Sequence, residues 1–140
     1  MSRRKGRILA FQALYSYDVG GESLEQLLKL EWAELKESEK DADTVDFARI
    51  IISGTINHIE ELDEAIKKHL TQNWEFSRVN RVSLAILRIS SYSLLFQPEI
   101  HPTIVIDEAI DIAREYGADD SYKFINAVLD HIRKEKEVED

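Results

Sequence analysis

Proline stands at positions 98 and 102 of this 140-residue chain and nowhere else, so nearly the whole sequence is free of the residue that breaks helices most effectively. Within those uninterrupted stretches apolar residues recur every three or four positions, while the alternation of a half-buried strand is scarce. The pattern predicts an all-α fold of about seven helices. Ser2 caps a first helix to about Tyr17, with Ile8, Phe11 and Leu14 or Tyr15 along one stripe, and Gly20-Gly21 ends it. Ser23 and Gln26 form a capping-box pattern for a second, whose apolar side carries Leu24, Leu27, Leu28 and Leu35. The charged residues 36–46 read as a solvated loop, with a third helix from about Thr44. Asn57 and Glu60 repeat the box-like spacing and divide the next stretch into a third and a fourth helix. Ser77 opens a fifth that reaches Phe96, apolar nearly all round and therefore packed on several sides. Gln97 to Pro102 is a turn. A sixth helix runs from about Ile104 to Tyr116 and stops at Gly117 in C-cap position. The seventh starts near Asp120 or Ser121 and packs Phe124, Ile125, Val128, Leu129 and Ile132, with residues 133–140 fraying.

Net charge is −9, which taken alone disfavours a polyanionic partner. Its distribution says otherwise. Residues 1–17 hold Arg3, Arg4, Lys5 and Arg7 without a single acid, or +4, leaving 14 bases against 27 acids, or −13, for the rest. A basic end on an acidic body points to a local anion site. The basic residues also sit where a helix macrodipole is positive, a placement costing roughly 0.3–1 kcal/mol each when exposed. Local rules broken in this way tend to mark function.

Catalytic and metal chemistry find little to work with. The chain has no cysteine, hence no disulfide, thiolate zinc site or thiol nucleophile. None of His58, His69, His101 and His131 follows a Glu by three positions, and no Gly-rich phosphate loop occurs. Asp107, Glu108 and Asp111 share a helix surface that reads as solvated acid rather than a metal site. No apolar run approaches the roughly 20 residues that span a bilayer. Nucleic acid fits better. Arg3, Arg4, Lys5 and Arg7 can neutralise phosphates, and Phe11, Tyr15 and Tyr17 follow at once as rings on which unpaired bases stack. The alternative role for those rings is core. Four phosphate contacts would give a slope of log K against log salt of roughly −3 for a single strand.

Three segments carry a family resemblance. HPTIVIDEAIDIAREYGADDSYKFINAVLD, residues 101–130, resembles the C-terminal signature of the NusB family, in which a Pro precedes a Val/Ile-Asn/Asp-Glu-Ala helix, a Tyr/Phe-Gly turn and Lys-Phe-Val-Asn-Gly-Val-Leu-Asp. RRKGRILAFQALYSYD resembles that family's Arg-rich start followed by Gln-Ala-Leu-Tyr, and AILRISSYSLL its Leu-Arg-x-x-x-Tyr-Glu-Leu-Leu segment. Ala127 stands where Gly is usual, Ser93 where Glu is usual, and Ser83-Leu84 where an Asp-Arg pair is common. Ser83 and Ser93 weaken any transfer of acidic partner contacts on the fifth helix.

The resemblance implies a NusB-like bundle in two packed helical subdomains, about 1–76 and 77–136. It implies a cytoplasmic, non-enzymatic transcription antitermination factor without cofactor or metal. Such a factor binds boxA-type single-stranded RNA together with NusE, a small-subunit ribosomal protein, and joins the RNA polymerase elongation complex on ribosomal RNA operons. Family members occur as monomers or homodimers. Residue by residue, Arg3, Arg4 and Arg7 match the RNA-binding start, with Lys5 inside the same run. Tyr15, Tyr116, Lys123 and Phe124 match aromatic and basic positions near the RNA surface, and Asp120 falls in the turn that modulates affinity. Arg88 matches the Arg of Leu-Arg, although in so apolar a helix it must reach the rim or pair with an acid. Two other readings compete. One is the NusB-like region of a ribosomal RNA cytosine methyltransferase; the other is a helical scaffold that binds protein alone.

Overall fold

The computed structural model describes residues 2–70 and 74–139, and among these all regular structure is helical. Seven α-helices follow one another: α1 Arg3–Tyr15, α2 Leu24–Lys29, α3 Ala42–Asn57, α4 Ile59–Lys68, α5 Arg81–Phe96, α6 Pro102–Tyr116 and α7 Ser121–Glu139. The expected fold class is the one observed. α1 packs against α3 and α5, and α5 also meets α4, α6 and α7. Leu84, Ile86 and Leu87 of α5 are fully buried, as its nearly all-round apolar surface requires.

Several boundaries follow the capping chemistry. Ser2 accepts from the Lys5 N–H and Ser23 from the Gln26 N–H. The chain leaves α1 through one π-helical turn, Ser16–Gly20, which closes on Gly21 at φ +69°, a left-handed conformation that suits glycine. The long helical stretch breaks at His58 as expected. The Asn57 box does not form, however: the Asn57 amide donates back to Ser53, and His58 pairs with Glu61.

Other boundaries moved. α2 stops at Lys29 and never reaches Leu35, because Leu30 takes a left-handed conformation at φ +57° and turns the chain away. Residues 36–46 are not all loop. Glu37–Glu39 form a 3₁₀ turn, and α3 begins at Ala42 under an Asp41 cap. Asn80, not Ser77, caps α5, its side chain accepting from the N–H groups of Val82 and Ser83. α6 starts two residues early, at Pro102, where the missing N–H would have had no partner anyway. Gly117 ends it in an extended conformation rather than a left-handed one, and a Cβ there would lie 2.6 Å from the Ser121 hydroxyl. Residues 133–139 stay helical, with Arg133 clamped between Asp130 and Glu137.

Two polar devices tie the bundle together. Thr44, fully buried, donates to the Asp41 carboxylate and accepts the Ser2 backbone N–H at 2.8 Å, joining the start of α1 to the start of α3. Arg88 meets Asp63 of α4 through two hydrogen bonds of 2.8 Å each. It has found the acid that its apolar surroundings demanded.

Asp63→Ala is expected to cost about 3 kcal/mol, because it strands a buried guanidinium; Asp63→Leu combined with Arg88→Met should lose far less. Urea midpoints check this, and equal losses in the two variants would refute it. Asp41 titrates below the usual carboxylate range, chiefly because the Thr44 hydroxyl and then the Thr44 N–H bond its charged form. A depressed folded pKa stabilises above the unfolded value and ceases to do so as pH falls through the folded one. The penalty of Asp41→Ala should therefore be largest above the usual carboxylate range and shrink as pH falls below it, read from urea midpoints across that range.

Candidate nucleic-acid interface

The basic residues of α1 share one short helix but not one environment. Arg3 is exposed, and its guanidinium lies 5.1 Å from the centre of the Phe47 ring. Arg4 reaches α6, donating to Glu108 at 3.1 Å and to Asp111 at 2.7 Å, and the Glu108 carboxylate above all holds its pKa up. Lys5 pairs with Glu39 at 3.4 Å. That carboxylate is held low first by the Lys36 backbone N–H and then by Lys5. Arg7, expected as a phosphate ligand, is the buried member of the run. Only 5% of it is exposed, its guanidinium packs 5.2 Å from the Phe47 ring centre, and one terminal nitrogen has no hydrogen-bond partner among the described residues. Burial pushes its pKa down.

The macrodipole conflict read from the sequence is thus answered by tertiary contacts. Acids from α6 and from the 37–39 turn surround a helix start that carries none of its own. Glu108 and Asp111 are acids with a cationic partner. Among the described residues no group of three His, Cys, Asp or Glu side chains is placed to hold a metal ion.

Just along α1 opens a groove of about 560 Å³, with Lys5, Gln12 and Tyr15 on one side, Trp32 and Glu34 on another, and Tyr116 at the end of α6. Tyr15 and Tyr116 are 37% and 40% exposed, so rings from both ends of the chain do face outward together. Phe11 is core, and its ring braces Tyr116 at 5.3 Å between centroids. Burial and then Glu115 raise the Tyr116 pKa, keeping its hydroxyl a donor. Trp32 has no counterpart in the sequence reading: the supposed continuation of α2 placed it on a helix, whereas the turn at Leu30 delivers it to the groove.

A second recess adjoins the first across the start of α5. Val82 lines the groove, whereas Asn80 and Ser83 line the recess together with Trp74, Asp120 and Phe124. Phe124 is half-buried and packs on Trp74 at 5.0 Å, so it is partly core and partly surface. Lys123 is exposed within 3.6 Å of Asp120, whose own φ of +67° fixes the tight turn before α7. Arg88 stands apart. It lines a different recess with Tyr17, Asp18 and Glu22, and its charge is committed to Asp63.

A model of the NusB family matches residues 4–134, nearly the full chain and all seven helices at least in part. The chain belongs to the NusB family. Among its relatives, the transcription antitermination protein NusB of Treponema denticola is 50% identical over 133 residues, covering 95% of this chain and 96% of that protein. The crystal form of T. maritima NusB superposes with a TM-score of 0.85 at 35% identity, covering 96% of this chain and 92% of that one. A NusB chain solved with NusE and dsRNA superposes at 0.83 with 30% identity, covering 95% and 96% respectively. No described helix is long and apolar enough to cross a membrane.

Within this NusB-family chain, the buried Arg7 yields a stability test. Arg7→Met keeps the packed stem and removes a desolvated charge, so its unfolding free energy should rise by about 1 kcal/mol or stay level. A loss of more than about 1 kcal/mol by urea denaturation would show that the charge itself stabilises the fold.

Proposed function

We propose that this chain is a cytoplasmic, non-catalytic transcription antitermination factor that binds boxA-type RNA together with NusE and so joins the RNA polymerase elongation complex. The observation that carries the reading is the continuity of exposed cations at the start of α1 with outward-facing rings in the adjoining groove. Cations fix a phosphate backbone, and ring faces take unpaired bases. The related NusB solved with NusE and dsRNA supports both partners. A body of strong negative charge also steers encounter with a basic ribosomal protein.

In this reading Arg3, Arg4 and Lys5 meet phosphates, the latter two by exchanging their internal acids for the backbone. Tyr15 and Tyr116 contact bases, and Lys123, Asp120 and Phe124 extend the surface. Arg7 and Arg88 support the fold beneath it.

Three phosphate contacts instead of four give an expected slope of log K against log salt of roughly −2 for a single strand. Arg3→Ala should reduce that slope by about 0.7, whereas Arg7→Met should leave it unchanged. Glu108→Gln with Asp111→Asn frees Arg4 and should raise affinity at low salt. A titration of boxA-type RNA across salt, with NusE present, reads all three. Absence of binding at low salt would end the proposal.

A further inference from the structure

We propose that the groove between α1 and residues 31–35 receives one unstacked RNA base, with the Trp32 indole as its stacking wall and Gln12 and Glu34 choosing a base that carries an exocyclic amine. The proposal rests on the RNA-binding reading above and assigns its most specific contact.

Trp32 is built into this position. The left-handed turn at Leu30 reverses the chain, and the indole N–H then donates to the Leu27 carbonyl at 3.0 Å, near the end of α2. That bond occupies the only donor an indole has. What remains is a flat π face on a residue still 37% exposed, although the natural contribution of its side chain is burial. Among the described residues no ring contact joins Trp32 to Tyr15 or Tyr116, although all three line the groove. The space between them is therefore open to a planar ligand, and the groove has the size of a ligand cleft.

The groove also carries groups that can discriminate. Among the described residues neither the Gln12 amide nor the Glu34 carboxylate finds a hydrogen-bond partner or ion pair. A carboxylate accepts from the amino group of cytosine, and a Gln amide pairs with the N6 and N7 edge of adenine. Uracil offers a carbonyl where those bases offer the amine, and a carboxylate repels it. Lys5 lines the same groove and belongs to the cationic start of α1, so a strand held there leads its next base toward Trp32. This continuity with the phosphate contacts favours RNA over a peptide as the occupant.

The test uses the full chain together with NusE and a single-stranded boxA-type oligoribonucleotide, intact or with one abasic residue at each position in turn. One position should emerge at which loss of the base weakens wild-type binding about 5- to 100-fold. Trp32→Leu should bind the intact strand correspondingly less well and show no further loss at that position. Trp32→Phe, which keeps a flat ring, should recover part of the affinity at an equal urea midpoint. Replacing that base by uracil should weaken wild type and be tolerated by Glu34→Leu. Uniform losses for Trp32→Leu at every abasic position, or full affinity in that variant, would overturn the proposal while leaving RNA binding intact. If the intact strand does not bind wild type at low salt, both readings fall. If Trp32→Leu weakens only the protein partner and not the RNA, the groove belongs to that partner and the base-receiving role is wrong.

Discussion

A side chain at position 6 would have no room: a Cβ on Gly6 lies 2.8 Å from the Phe47 ring and 3.3 Å from the Thr44 carbonyl oxygen. The close approach of α1 to α3 that this glycine allows decides where the basic side chains of the first helix end up. It brings the Ser2 N–H within reach of the Thr44 hydroxyl, so the helix start is held by a hydrogen bond. It also sets two guanidiniums, one turn apart, against the same aromatic ring. Arg7 lies beneath the surface and Arg3 on it. Arg4, pointing a different way, is left to meet α6. The separation of buried from exposed cations thus comes from helix contact, not from residue type.

The charge pattern has the same logic. An acidic chain supplies acids to Arg4 and Lys5, so the exposed positive potential at the interface is smaller than the sequence count suggests. Ion pairs at such exposed sites contribute little to stability. Their larger effect is on pre-positioning. Glu108 and Asp111 hold the Arg4 guanidinium extended from α1 to α6.

Much of this was legible from the residues. Period and proline placement yielded the helices, Ser2 and Ser23 their caps, and position 58 the break. The residues left Tyr15 between core and surface, and Tyr116 entered only through the family resemblance; both rings are partly exposed. What failed had physical causes. Arg7 looked like its neighbours because amphipathicity shows which stripe is apolar but not how wide a partner helix covers it. Trp32 was hidden because α2 ends at a leucine in a left-handed conformation, where glycine or asparagine would have announced the stop. Asn80 outcompeted Ser77 as a cap, and three residues of turn went unseen. Arg133 held the end of α7 together through acids on either side, where charge alone had suggested fraying.

The π-helical turn at Ser16–Gly20 has a consequence for how such a chain tolerates change. It winds more residues into a turn than an α-helix does, so the side chains after Tyr15 fall out of phase with those before it. That rotation swings Asp18 onto Arg81 at 3.2 Å, pinning the exit of α1 to the first residue of α5. Inserted or deleted residues beyond Gly21 are then absorbed downstream of a fixed anchor. The ring at Tyr15 keeps its heading whatever the length of the segment that follows.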